Sequence, residues 1–137
     1  MRSPAELIAA FVNHRHWAVV GVSHNPSKFG HIIFKDLRRA GYHVQAVGLS
    51  GGTLDGTRIY PSLAALPTPP DVVDVVVPPL QTEMIVRQCA ELGLRRVWLQ
   101  PGAESPTAVA FCRANGIEVV AGGPCVMVHK RRWSASA

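Results

Sequence analysis

The ten residues from Gly21 to Gly30, Gly-Val-Ser-His-Asn-Pro-Ser-Lys-Phe-Gly, gather side chains suited to holding an anion. Lys28 supplies a positive charge, Ser23 and Ser27 supply hydroxyls, and Gly21 lets the main chain come close to a ligand. An apolar, β-branched run, Trp17 to Val22, leads into this turn, and a helical pattern from Gly30 to Ala40, stopped by Gly41, leads out. A helix that starts here leaves main-chain N–H groups unbonded and carries a partial positive charge, the setting that attracts phosphate. The turn departs from the dinucleotide fingerprint Gly-x-Gly-x-x-Gly, because its three positions read Gly21, Ser23 and Pro26. That fingerprint also needs a carboxylate about 20 residues on, to grip ribose hydroxyls. Here the second apolar run ends in Val47-Gly48-Leu49-Ser50, and the nearest acid, Asp55, lies beyond Ser50-Gly51-Gly52. The turn therefore suits phosphate and does not suit the ribose of NAD.

Other reactive side chains are scattered. Cys125 falls just past the last strand, where a thiol could meet a thiol ligand or act as a nucleophile. With no charged partner in the pattern, it also reads as a small buried side chain. Cys89 and Cys112 lie mid-helix and read as core. His24 and His31 flank the turn and could each donate to phosphate or sit in solvent. No His, Cys, Asp or Glu grouping has metal-ligand spacing. There is no Gly-x-Ser-x-Gly elbow and no Walker phosphate loop, so the pattern assigns no catalytic residue. Asp71 and Asp74 read as structural residues at a strand start, on the edge away from the ligand, and Trp98 reads as core.

The elements that must position the turn follow a regular order. Ser3-Pro4-Ala5-Glu6 is a capping box that starts a covering helix within residues 1–16. Strands are predicted at 17–22, 42–47, 71–77, 95–100 and 117–121. The segment from Gly48 to Thr57 reads as a mobile loop, and Ile59-Tyr60-Pro61 as a short extended piece. Helices are predicted after Gly30, after Pro79 and after Ser105-Pro106. Alternating strands and helices predict a single α/β domain over 1–137: a three-layer, Rossmann-like fold with a five-stranded parallel sheet of order 3-2-1-4-5 and helices on both faces. The strands end in Gly21/Ser23, Gly48/Ser50, Pro78/Pro79, Pro101/Gly102 and Gly122/Gly123, and a parallel sheet brings such ends to one edge, where ligands bind.

Composition sets the class. The 137 residues are 47% hydrophobic and 17% charged, which fits one globular domain with a buried core. Apolar runs are strand-length, so no membrane span is expected, and Met1 to Phe11 lacks the apolar core of a secretory signal. Three widely spaced cysteines suit a reduced, cytoplasmic protein. The formal net charge is +5, with much of the excess in Arg95-Arg96 and a basic tail over 129–137. That charge fits a solvated surface or a small polyanionic ligand. Nucleic acid is not expected as a partner, since no binding motif occurs and aromatics are only 7% of the chain.

Several blocks in order carry a resemblance. These are Val20-Gly21-Val22-Ser23-x-x-Pro26-x-Lys28-x-Gly30, Gly41-Tyr42-x-Val44, Val77-Pro78-Pro79, Val97-Trp98-Leu99-Gln100-Pro101-Gly102-Ala103, Val119-Val120 and Cys125-Val126-Met127-Val128. Together the chain resembles the small stand-alone CoA-binding proteins of bacteria and archaea, which are similar to the CoA-binding domain of the succinyl-CoA synthetase α subunit. The resemblance covers nearly the whole chain, from about Ala9 to Arg132, and the Trp-Leu-Gln-Pro-Gly block is its most specific part. It implies that coenzyme A, or an acyl-CoA, is the ligand. Gly21, Val22, Ser23, Pro26, Ser27, Lys28 and Gly30 would hold the pyrophosphate. Val77, Pro78 and Pro79 would pack by the adenine or the start of the pantetheine arm, and Gln100, Pro101 and Gly102 would line the arm's path. Val47 and Gly48 form the second strand's tip, where the family usually has Val-Asn-Pro, and Cys125 follows Gly-Gly-Pro where the family often carries Asp-Arg. The expected function is binding without chemistry of its own, and small domains of this kind often pair as homodimers. The alternatives are an NAD(P)-dependent oxidoreductase and, more weakly, a subunit of an ADP-forming acyl-CoA synthetase.

Overall fold

The structure, a computed structural model, describes residues 2–133. It is an α/β fold of the Rossmann type. The order is α1 (Pro4–Val12), β1 (His16–Val20), α2 (Phe29–Arg39), β2 (His43–Val47), β3 (Thr53–Leu54), β4 (Thr57–Tyr60), a short 3₁₀ turn (Leu63–Ala65), β5 (Val72–Val75), α3 (Pro79–Leu92), β6 (Arg96–Leu99), α4 (Pro106–Ala114), β7 (Glu118–Val120) and α5 (Val126–His129). The capping box starts α1 as its residues require: Ser3 Oγ accepts from the Glu6 N–H at 3.2 Å and Glu6 Oε1 accepts from the Ser3 N–H at 2.9 Å.

The sheet corrects the expected topology. It has seven strands in the order β3-β4-β2-β1-β5-β6-β7, not five in the order 3-2-1-4-5. All neighbours are parallel except the β3–β4 pair. The run at 71–77, expected to lie outside β2, instead pairs with β1 on its other side, with Val19 opposite Asp74. The place beyond β2 is taken by β4, with Ala46 opposite Ile59. The expected mobile loop is the reason. Its Asp55-Gly56 turn, both residues at positive φ (49° and 78°), closes a hairpin whose second arm is β4. That arm returns parallel to β2 without a helical crossover. The chain reverses direction across the sheet between β1 and β5, so the topological switch point lies between their ends.

Helices cover both faces. Trp17, Val19, Val72, Trp98 and Val120 pack with Phe11, Ile33, Phe34, Leu37 and Val126, which come from α1, α2 and α5. Ala18, Val20, Val73, Val75, Val97 and Leu99 pack on the other face with Val86, Cys89, Ala108 and Cys112 from α3 and α4. Trp98 is fully buried, as its strand position predicts, and so are Cys89 and Cys112, whose thiols burial pushes up to about 12 and about 11.

Two further expectations are corrected. Asp74 is not at a strand start: it is the third residue of β5, fully buried, in register between Val19 and Trp98. Neither of its carboxylate oxygens has a hydrogen-bond partner, and burial raises its pKa well above the ordinary carboxylate range. The basic tail is not simply solvated. His129 ends α5, and Lys130, Arg131 and Trp133 are bonded to the body of the domain. Met1 and the end of that tail, 134–137, lie outside the described residues.

Candidate functional site

The ends of the central strands are stitched side by side. The N–H groups of Gly21 and Val22 both donate to Val47 O (2.9 and 3.0 Å), Val76 N–H donates to Val20 O (2.8 Å), and Gln100 N–H donates to Val75 O (3.1 Å). These bonds carry Gly21–Gly30, Val47–Gly48, Val77–Pro79 and Gln100–Gly102 to one edge. Cys125 joins them, because Gln100 Nε2 donates to its Sγ at 3.2 Å. The residues singled out in the sequence therefore share an edge. Much of it is open to solvent: Pro26, Ser27, Lys28, Pro78, Pro79, Pro101 and Gly102 are exposed.

At the switch point a helix start presses directly on a strand end. A Cβ placed on Gly30, in the first turn of α2, would lie 1.9 Å from Gly21 O. One placed on Gly21, at φ 110°, would lie 2.3 Å from Val76 O. Only glycine fits at either position, so Gly30 supplies the close helix–strand packing that the last glycine of the dinucleotide fingerprint supplies elsewhere. Lys28 is the N-cap of α2. It makes no side-chain cap bond, and no acid stands in the first turn. The positive end of an eleven-residue helix is thus left uncompensated beside an exposed ammonium.

The turn before it is preorganised by its own side chains. Asn25 Oδ1 accepts from Ser27 N–H (3.0 Å) and from Ser27 Oγ–H (2.7 Å), while Ser23 Oγ accepts from Asn25 N–H (3.1 Å). The two histidines are tied to backbone. His31, buried, places Nδ1 2.7 Å from Ser23 O, and His24 places Nε2 2.8 Å from Gly51 O. A carbonyl only accepts, so each of those nitrogens carries the proton. His24 thereby bridges the loop after β1 to the loop after β2. Gly48 lies under that crossing: its N–H donates to Tyr60 O (2.9 Å), and a Cβ there would come 2.1 Å from Val22 O. This chain has glycine at the strand tip because the β1 loop passes directly over it.

Sequence reasoning missed Glu104. Its Oε1 accepts from Gly102 N–H at 2.8 Å, which pins the Gln100-Pro101-Gly102 shelf from behind. Nearby, Ser105 Oγ caps α4 through Ala108 N–H (3.2 Å) and donates to Glu83 Oε2 (2.6 Å), linking α4 to α3. The Gly-x-Glu spacing after a strand was the available signal. Two surface hollows lie away from this edge. One of about 120 Å³ is lined by Leu63, Leu66, Pro69, Leu92 and Leu94; the other, of about 340 Å³, is lined by Lys35, Arg38, Arg39 and Asp55. Among the described residues no cluster of His, Cys, Asp and Glu could hold a metal, and no helix is long and apolar enough to cross a membrane.

Comparison with known proteins converges on one kind of domain. A family model described as a CoA binding domain matches residues 15–131. The α subunit of an ADP-forming acetate–CoA ligase from Pyrococcus furiosus is 32% identical over 88 residues, which are 64% of this chain but only 19% of that subunit. Among solved structures, a conserved hypothetical protein from Pyrococcus furiosus superposes with a TM-score of 0.79 at 38% identity, covering 83% of this chain and 97% of that one. A hypothetical protein from Pyrococcus horikoshii superposes with a TM-score of 0.85 at 27% identity, covering 93% and 89%.

Proposed function

Since this chain belongs to the CoA binding domain family, we propose that it binds coenzyme A or an acyl-CoA along the strand-end edge, as a binding module without chemistry of its own. The observation that carries this reading is the uncapped start of α2, packed on Gly21, with Lys28 at the cap and no acid at the tip of β2. CoA carries a pyrophosphate and a 3′-phosphate, and both favour a helix N-terminus and a cation over a carboxylate. In this reading Gly21–Lys28 and Gly30 hold the pyrophosphate, and Val47 and Gly48 floor the adenosine side. Val77, Pro78 and Pro79 flank the adenine or the start of the pantetheine arm. Gln100, Pro101 and Gly102 line the arm toward Cys125. His24 and His31 each hold one ring nitrogen on a backbone carbonyl, and Glu104 holds Oε1 on the Gly102 N–H while its Oε2 is buried without a partner. The chain spans about a fifth of the ligase subunit it matches, and the proposal stops at binding.

Calorimetric titration with CoA, with NAD and NADP as controls, tests it. CoA is expected to release heat and to stabilise the fold by about 2.7 kcal/mol at a hundredfold excess over Kd. Lys28→Ala is expected to weaken binding. No heat and no thermal shift at millimolar CoA would overturn the reading, as would a response to NAD or NADP alone.

A further inference from the structure

The segment after α5 runs from the strand-end edge to the far end of α2, and each of its described residues but one is fastened. At the edge, Trp98 Nε1 donates to Pro124 O (3.1 Å) and Gln100 holds the next two residues, donating to Cys125 Sγ and accepting from Val126 N–H (3.1 Å). Beyond α5, Lys130 Nζ lies 2.9 Å from Asp36 Oδ2 on α2 and donates to Met127 O (2.7 Å). Arg131 N–H donates to Tyr42 Oη (3.0 Å), whose own hydroxyl donates to Val12 O (2.7 Å). Arg131 Nη1 also donates to Asn13 Oδ1 (3.1 Å). Trp133 N–H donates to Ala40 O (2.8 Å), and its ring meets Tyr42 edge-on at 5.7 Å. The guanidinium groups of Arg131 and Arg15 lie 4.0 and 5.0 Å from that ring's centre. Gly41 accommodates it, since a Cβ there would come 2.8 Å from the Trp133 Cβ.

We propose that Lys130–Trp133 is a strap that sets the position of Cys125 and Val126 against Gln100, and through them the affinity of the strand-end edge for its ligand. The four-residue α5 is too short to hold its own place. Its two ends are fixed by different parts of the fold: the sheet through Trp98 and Gln100, and the α2–β2 corner through Tyr42 and Trp133. Releasing the second anchor lets the first pivot, which exposes the Cys125 thiol. Trp133 and Arg131 are positioning residues and touch no ligand. The effect on affinity rests on the CoA reading above, whereas the effect on Cys125 does not.

The test reads both separately. Thiol labelling of the intact protein with a neutral maleimide, resolved by peptide mass spectrometry, reports Cys125 against the buried Cys89 and Cys112. Trp133→Ala removes the aromatic pair and both cation–ring contacts, and is expected to speed Cys125 labelling about tenfold while Cys89 and Cys112 stay unlabelled. CoA titration of the same variant is expected to show a matching loss of affinity. Unchanged Cys125 labelling overturns the strap. Faster labelling of Cys125 in a protein that binds no CoA in either form upholds the strap and overturns the ligand reading. Faster labelling with CoA affinity unchanged overturns the link to the ligand. If all three cysteines label together, Trp133→Ala has unfolded the domain, and Arg131→Gln decides, with selective labelling of Cys125 as support and an unchanged rate as refutation.

Discussion

Replacing Asp74 by asparagine isolates a group whose charge state differs between the folded and unfolded chain. The side chain is completely buried, its oxygens have no partners, and Val19 and Trp98 flank it in the sheet. An unpaired carboxylate in that setting is driven to its neutral form, so the native protein keeps a proton there. The unfolded chain gives that proton up above about pH 4. The native state then binds more protons than the unfolded one, and stability falls as pH rises. The contribution is fully present below the unfolded pKa and is lost up to the native one, at about 1.4 kcal/mol per pH unit across that window. Asparagine keeps the shape and cannot ionise, leaving only a pH-independent cost for its unpaired amide. His14, held below the usual imidazole range chiefly by burial, acts in the opposite sense, losing stability as pH falls. Its effect cancels when the two proteins are compared. Thermal unfolding of wild type and Asp74→Asn over a pH series is the assay. The variant is expected to gain on the wild type progressively with pH, each kcal/mol appearing as about 3–5 °C in Tm. Parallel stability curves would refute the reasoning, because Asp74 would then titrate alike in both states.

Three other substitutions probe the supports of the candidate site. Gly30→Ala forces a methyl against Gly21 O and is expected to cost about 3 kcal/mol or more, read as a lower urea midpoint with unchanged slope. Gly48→Asn is expected to destabilise this chain by about 1–3 kcal/mol, because the β1 loop crosses where its Cβ would lie. A thermal melt equal to wild type would count against that crossing. Tyr42→Phe removes the hydroxyl shared by Val12 O and Arg131 N–H. It is expected to cost about 1–3 kcal/mol by leaving both unpaired, and amide exchange at Arg131 should rise ahead of exchange in β1.

The parts of the fold that could be read from the chain are those with one physical cause apiece. The α1 cap follows from Ser3, Pro4 and Glu6. Burial of Trp98, Cys89 and Cys112 follows from apolar runs on strands and helices, and the shared edge follows from parallel strands ending in small residues. Sheet order failed because it depends on where a short arm lands. Thr57–Tyr60 is only four residues long and polar at its start, so it carries little periodicity, although Asp55-Gly56 between two short β-prone pairs was a hairpin signal. The tail was misread because charge was counted without asking what the aromatic ring of Trp133 would cover. Asp74 reads as a strand-start residue because a carboxyl inside a valine-rich strand contradicts the rule that places charges in water. Burial without a partner favours the neutral form of that group, which removes the contradiction.

Within the candidate phosphate turn the side chains are partly occupied by one another. Hydroxyls of Ser23 and Ser27 first read as ligands for phosphate, yet Asn25 occupies the Ser27 proton and draws on the Ser23 oxygen. The Ser27 hydroxyl gives its proton to the Asn25 carboxamide, whereas Ser23 Oγ only accepts from the Asn25 N–H and keeps its own proton. In the proposed reading, phosphate is left to groups whose protons the fold does not engage. In α2 the first intrahelical bond returned to the cap is Ile32 N–H to Lys28 O. The N–H groups ahead of it are ones a helix leaves unbonded within itself, and Gly30 admits the backbone of β1 close beside them. Recognition in such a site depends on main-chain geometry more than on side-chain identity. In the proposed reading, a turn lacking the usual fingerprint glycines serves phosphate because the helix start is brought hard against the strand end.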